Sequence, residues 1–305
     1  MSEPTIETII ENGLVRLSDV ERSIQINDMD YQFYYDRCMK PDNTPSDYLA
    51  LHFKERQQER WMTCKNMLSS NFTVIKTQEV IQQIQSSLTG NIENEKHFRS
   101  GTSVKSTFKL SGYQIDIENE PEVDRVLFQL LTNINTDIDL LMTAKLTFNI
   151  INGFSGNHAL QLNYGLEKTM SVSNEDGTTN SLPVNNIFVL NAYTNRLIHD
   201  NRLVINISDV TNVQQNIQTQ INSYKSVSFT PEFVDELGKN VPKRFFKKFI
   251  SMFESIPDNL RNFYYVTYIL SVIMESERNI VTEIKLRTLI SKMHDSMIDQ
   301  ENDEH

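Results

Sequence analysis

Five cations fall within the stretch Lys239-Asn-Val-Pro-Lys-Arg-Phe-Phe-Lys-Lys-Phe249, and no acidic residue stands among them. Lys239, Lys243, Arg244, Lys247 and Lys248 have the chemistry to track phosphates, while Phe245 or a neighbouring ring has the face to stack on a base. On a helix, residues 243, 244, 247 and 248 form one stripe, and the phenylalanines at 245, 246, 249 and 253 fall on another arc. That division is equally the pattern of an ordinary amphipathic helix with a solvated cationic side. The acidic tail (Asp295, Asp299, Glu301, Asp303, Glu304) offers a third pairing for the stripe, in cis or between subunits.

A second polar constellation lies at Asn152-Gly-Phe-Ser-Gly-Asn-His158. The chain has only nine glycines, and those at 153, 156 and 165 fall within or just after this segment. Glycine is used where the backbone needs positive φ or where another segment must come close, so Gly153 and Gly156 mark a tight turn between strands. Asn152 and His158 flank it. His158 beside Asn157 and Ser155 has polar chemistry, but a metal would need further ligands at suitable spacing. The six histidines (52, 97, 158, 199, 294, 305) are scattered, without a paired-histidine motif. A structural turn is the expectation, one suited to presenting a loop to a partner.

Catalytic spacing is missing elsewhere too. Gly153-Phe-Ser-Gly156 is not the G-x-S-x-G of a nucleophile elbow, and there is neither a phosphate loop nor a dinucleotide glycine pattern. Asp116 with Glu118, and Asp137 with Asp139, would each share a strand face, where carboxylates of an acidic protein usually remain solvated. The expectation is a non-enzymatic protein without cofactor or metal.

The elements that must position these residues follow from periodicity. Residues 1–45 carry short strands at Leu14–Leu17 and Ser23–Ile26 and an aromatic cluster at 31–35. Ser46 reads as the N-cap of a helix that would place Leu49, Phe53, Trp61, Cys64 and Leu68 on one face. Phe72–Ile75 reads as a strand, and Thr77 as the cap of a helix with Val80, Ile81, Ile84 and Leu88 inward. From 98 to 207 alternation dominates, with strands at 142–151, 158–164, 187–190 and 202–207 around the glycine turn. After 208 the pattern is helical. Thr230-Pro231 opens a helix that Gly238 closes, Pro242 opens the next, and a last helix from 280 to 298 turns Ile284, Leu289, Met293 and Met297 inward before an acidic, frayed end.

Strands in the middle and helices at the end give an α+β fold: a largely antiparallel sheet core, N-terminal helices and an all-α C-terminal region. The expected division is an α+β domain over 1–228, with its β-rich core at about 98–207, and a helical region over 229–305. Net charge is −11 and the sequence pI about 5.1, which repels nucleic acid and anionic membrane as a whole but leaves room for a focused basic site. Two cysteines, no basic or apolar leader and no apolar run of spanning length point to a soluble protein of a reducing compartment.

Three stretches resemble a phage/plasmid-like protein family defined by a domain of unknown function. Asn71-Phe-Thr-Val-Ile-Lys-Thr-Gln-Glu-Val-Ile-Gln-Gln-Ile84 matches a strand–turn–helix of that family, Phe98-Arg-Ser-Gly-Thr102 its first glycine hairpin, and Leu146–Leu162 its Asn-x-x-x-Gly turn. The resemblance covers about residues 70–225 and departs after Gly165, where Ser171-Val-Ser-Asn174 lacks the family's cysteine. It implies a phage or mobile-element origin and brings no catalytic residues. Two functions are expected from it and from the basic segment together. One is a DNA-transaction accessory binding single-stranded nucleic acid, or an acidic protein partner, through 239–248 in the host cytoplasm. The other is a homo-oligomeric assembly protein of a virion or phage complex.

Overall fold

Alternation of apolar side chains, more than any helical signal, organises the first hundred residues. In a computed structural model of the chain, the described residues are 10–11, 14–87, 91–115, 140–173, 179–188, 193–194, 198–199, 202–203, 210–227, 231–258, 261–277 and 279–303. The chain runs through β1 (Ile10–Glu11), β2 (Leu14–Arg16), β3 (Ser23–Asp28), β4 (Tyr31–Met39) and β5 (Pro45–Glu55). Then come β6 (Met62–Thr63), β7 (Leu68–Ser69), β8 (Thr73–Ile75) and helix α1 (Thr77–Ser87). Four longer strands follow: β9 (Ile92–Ser100), β10 (Ser103–Ile115), β11 (Leu140–Gly153) and β12 (Gln161–Ser173). After β13 (Thr179–Phe188) stand the short β14 (Tyr193–Thr194), β15 (Ile198–His199) and β16 (Arg202–Leu203). The rest is helical: α2 (Val210–Ser226), α3 (Pro231–Asn240), α4 (Lys243–Phe253), α5 (Phe263–Glu277) and α6 (Ile280–Asp303). The fold is α+β.

Among the described residues, one sheet has the order β1-β2-β8, a second β3-β4-β5-β6 with β7 beside β5, and a third β13-β12-β11-β10-β9 with β14 beside β12. The chain divides into two compact units. The first comprises Met1–Phe108, Asn149–Leu162 and Ala192–Ser208, and the second Lys109–Phe148, Asn163–Asn191 and Asp209–His305. The junction at 228–229 lies within the second unit, between α2 and α3.

The core of the first unit is built by β3, β4 and β5. Ile24 and Ile26, then Tyr31, Phe33 and Tyr35, then Leu49, Leu51 and Phe53 are buried at every second position. Antiparallel register sets Ile26 opposite Phe33 and Phe33 opposite Phe53. Arg37 staples the edge, donating from Nη1 to the Ser46 carbonyl at 2.9 Å and from its other nitrogens to the carbonyls of Leu17, Val20 and Ser18.

The helix expected over 46–68 is therefore a strand and two short segments. Leu49, Phe53, Trp61, Cys64 and Leu68 satisfy helical spacing, but Leu51 breaks it: Leu49, Leu51 and Phe53 are an i, i+2 series that β4 can cover with rings. The Ser46 hydroxyl accepts from the Tyr48 amide at 3.3 Å, a local turn in place of a helix cap. Trp61 and Cys64 are only half-buried.

In the second unit α5 is buried on every side, with Phe263, Tyr264, Tyr265, Tyr268, Ile269, Leu270 and Ile273 at 1% exposure or less. A helix apolar all round is a central one, and α2, α4, α6 and β13 pack against it. The buried Thr267 and Ser271 are satisfied within the helix, Thr267 donating to the Tyr264 carbonyl at 2.7 Å and Ser271 to the Thr267 carbonyl at 2.8 Å. Among the described residues no helix is long and apolar enough to cross a membrane.

Three further expectations change. Gly238 does not end α3, which continues to Asn240; a Cβ there would stand 3.0 Å from the Phe246 ring, so the glycine serves close approach of α4. Helix α6 runs on to Asp303 with no break after Met297. Its buried line is Glu283, Leu286, Arg287, Ile290 and His294, whereas Ile284, Leu289 and Met293 lie at its margin. The carboxylate pairs Asp116 with Glu118 and Asp137 with Asp139 lie outside the described residues.

Candidate functional site

The glycine turn is the end of β11 and the residues leading to β12. Gly156 has φ +67°, a conformation that L side chains rarely adopt, and the Phe72 ring lies 3.4 Å from where its Cβ would be. Gly153 is needed for space. A Cβ there would sit 2.8 Å from Asn157 Oδ1 and 2.9 Å from both His158 Cε1 and the His158 carbonyl.

Every polar group nominated here bonds inward within the first unit. Asn152 Nδ2 donates to the Ile75 carbonyl at 2.7 Å and to Thr77 Oγ1 at 3.2 Å, tying the turn to the start of α1. The Phe154 carbonyl accepts from Tyr35 OH at 2.9 Å, and the Phe154 ring stacks on Phe33 at 3.8 Å and 6°. Ser155 Oγ lies 2.5 Å from Thr102 Oγ1.

His158 makes the contact nearest to catalytic chemistry. Its Nδ1 lies 3.1 Å from the Ala159 carbonyl and its Nε2 2.7 Å from Ser103 Oγ. A carbonyl only accepts, so Nδ1 carries the proton and Nε2 accepts the Ser103 hydroxyl. Nucleophile, base and orienting group are thus in the order that acyl transfer uses. Yet Ser103 is fully buried, and its oxygen also receives the Asn157 amide at 3.3 Å. Burial lowers the His158 pKa, the Ala159 carbonyl opposing it, and favours the neutral ring. The arrangement closes the turn onto β10 as a latch. Sequence reading missed Ser103 because fifty-five residues separate it from His158.

Asp28, at the end of β3, is a second buried polar group. Its Oδ1 accepts from the Gln78 amide at 3.3 Å, at the first turn of α1. Burial pushes its carboxyl up to about 6, against the pull of the Thr77 hydroxyl, the Gln78 and Thr77 amides and the Lys76 charge. In the second unit Ser223 Oγ lies 3.0 Å from His294 Nε2, but the ring packs against Tyr224 at 4.4 Å and Phe263 at 5.6 Å. Asp295 stands 3.6 Å from His294 Nδ1 and is solvated, so this set ties α2 to α6. Among the described residues no group of three or more His, Cys, Asp or Glu is placed to hold a metal ion.

The basic segment is divided in the structure as its spacing implies. Lys243, Arg244, Lys247 and Lys248 are exposed on α4, whereas Phe245 is 3% exposed and Phe249 fully buried. Phe245 packs inward and has no face for a base. Phe249 stacks on Phe253 at 5.5 Å. Lys239, on α3, is exposed and lies 3.4 Å from Glu236, which offsets part of its charge. The first turn of α4 contains no acidic residue, and Pro242 at its N-cap makes no side-chain cap. Lys243 and Arg244 therefore add to the positive end of the helix dipole, where a cation is unfavourable for the helix itself. Of the tail acids, Asp295 is exposed on α6, the side chains of Asp299, Glu301 and Asp303 are outside the described set, and so is Glu304. Comparison with protein-family models, with curated proteins and with solved structures returns no match.

Proposed function

We propose that this is a non-enzymatic nucleic-acid-binding accessory whose contact is the cationic face of α4, holding phosphates without reading sequence. One observation carries the reading. Four cations stand exposed on one short helix in a chain of net charge −11, and two of them, Lys243 and Arg244, sit in its first turn, where helix stability gains nothing from them. Phe245 and Phe249 are buried and Phe246 is half-buried beside Gly238, so the stacking expected of Phe245 is not available. The phage or mobile-element setting, in host cytoplasm or virion, is supported by the resemblance over residues 70–225 alone.

Fluorescence anisotropy of a labelled single-stranded oligonucleotide tests it. Binding should weaken with salt, and Lys243→Glu with Lys247→Glu should flatten the log–log salt dependence by roughly 1.4, two phosphate contacts' worth. Absence of binding at low salt sinks the proposal. A second reading, self-assembly, draws on the tip of the β4–β5 hairpin and the segment before β7, where Met39, Tyr48 and Met67 are 50%, 54% and 65% exposed and Cys38 Sγ lies 4.0 Å from Met67 Sδ. Light scattering that shows a strict monomer at high concentration would remove it.

A further inference from the structure

The outward face of the β3-β4-β5-β6 sheet carries rings that the core does not need. Register sets Gln25 opposite Tyr34, Tyr34 opposite His52, and His52 opposite Thr63, one continuous row across four strands. The next row has Asn27 opposite Gln32 and Gln32 opposite Lys54. The alternate positions on the same strands, Ile24, Ile26, Phe33, Tyr35, Leu51 and Phe53, fill the interior.

On this outward face Tyr34 and Trp61 meet edge to face, with centroids 6.1 Å apart and planes at 60°. His52 lies 6.1 Å from Tyr34 on its other side. The Lys54 ammonium is 4.9 Å from the Trp61 centroid. All four side chains are half-buried, so each keeps surface in solvent.

We propose that this face is a stacking platform for the bases of single-stranded nucleic acid. Three adjoining rings give faces for successive bases, which is sequence-tolerant because every base has a π-face. Gln25 and Gln32 stand beside the rings with donors and acceptors for base edges, while His52 Nδ1 lies 2.9 Å from Thr63 Oγ1, which holds the imidazole in place. The charge also suits a polyanion. Residues 54–65 hold Lys54, Arg56, Arg60 and Lys65 against Glu55 and Glu59, a local positive excess in an acidic chain. Glu55 is engaged by Arg99 at 3.5 Å. Asp36 stands in the neighbouring row, opposite Ser23 and Ala50. A protein partner would favour an apolar centre, whereas here the rings are interleaved with amides, an imidazole and an ammonium group. The proposal shares its ligand with the α4 reading and rests on different residues.

Trp61 is the only tryptophan of the chain, so its emission reports on this face alone. Oligo(dT) titrated into the full chain should quench it in step with the rise in anisotropy. Trp61→Ala should weaken binding roughly five- to hundred-fold, the range of one lost stacked base, while Trp61→Phe should restore most of it. Anisotropy that rises with emission unchanged overturns the platform and leaves the α4 contact standing. Quenching that Lys243→Glu with Lys247→Glu does not weaken supports the platform and overturns the α4 contact. An emission change that follows protein concentration and ignores oligonucleotide overturns it by assigning the face to a second copy.

Discussion

At the turn 152–158 each polar side chain is taken up by a neighbouring strand or helix, whereas on α4 four charged side chains are exposed and Phe245 between them is buried. Asn152 holds the start of α1, His158 and Asn157 hold Ser103, and Ser155 meets Thr102. The turn is thus polar for reasons of structure. A buried polar group must find a partner or cost stability, so a turn between two core strands needs such residues without any ligand. The α4 cations answer to no such requirement. Residue type alone does not separate the two cases; what separates them is burial, which obliges the turn's polar atoms to find partners inside the fold and leaves the α4 cations exposed to solvent.

If that distinction holds, changes at the turn and its supports should damage stability and spare binding, and changes on α4 should do the reverse. The largest effect belongs to Asp28. Its carboxyl titrates at about 6 in the fold against 3.8 ordinarily, so the fold takes up a proton more readily than the unfolded chain. That contribution is fully present below about pH 3.8 and is lost as pH rises through about 6. Asp28→Asn does not titrate, so its stability relative to wild type should shift in its favour by about 3 kcal/mol between acid and neutral pH, read by urea unfolding. Parallel curves for the two proteins would show that the carboxyl is not held as described.

Gly153→Ala follows, at about 2 kcal/mol of destabilisation, since the new methyl group meets the His158 carbonyl and cannot be accommodated by a side-chain rotation alone. Gly156→Ala should cost about 1 kcal/mol, from its positive φ, because space at that point is adequate. Thermal unfolding of the pair should rank them in that order, with oligonucleotide affinity of the folded fraction unchanged.

The histidines give a smaller effect of opposite sign to Asp28. Burial lowers the pKa of His158, and likewise of His97 and His294. Their neutral forms support the fold fully above the ordinary value of about 6.5, and that support is lost as pH falls through the lowered ones. His158→Gln should flatten the loss of melting temperature below about pH 6.5; an unchanged slope would free His158 of this role. The smallest effect on stability is expected from Lys243→Glu with Lys247→Glu, within about 0.5 kcal/mol, with binding reduced. A large loss of stability would mean that the cations hold the helix and not a ligand.

Much of the architecture was legible where a period was unambiguous. Strands at 14–16, 23–28, 73–75 and within 140–153 follow from alternation, and α1 from its Thr77 start and its Val80, Ile81 and Ile84 line. The reading failed at 46–68 because Leu49, Phe53, Trp61, Cys64 and Leu68 fit one period while Leu49, Leu51 and Phe53 fit another, and only pairing with β4 decides between them. On α6 the buried Glu283–Arg287 pair, 2.9 Å between Arg287 Nη2 and Glu283 Oε1, conceals the inward face. Charges at 283 and 287 read as solvent-facing, which turns the expected apolar line by one position. At the turn, the role of the glycines was legible, but Ser103 and Thr102 were not. Contacts across fifty residues leave no local signal.

The position of α5 bears on how the chain is made. Strand β11 belongs in large part to the second unit, whose central helix is more than a hundred residues further along. At ~5–20 residues per second, roughly ten seconds separate the emergence of residue 148 from that of residue 263. For that interval the second-unit parts of β10 and β11 exist without the central helix of their unit. Synthesis therefore leaves apolar surface of the second unit uncovered, where nascent chains can associate. Yield from slow translation or with a holding chaperone present should exceed that from rapid overproduction.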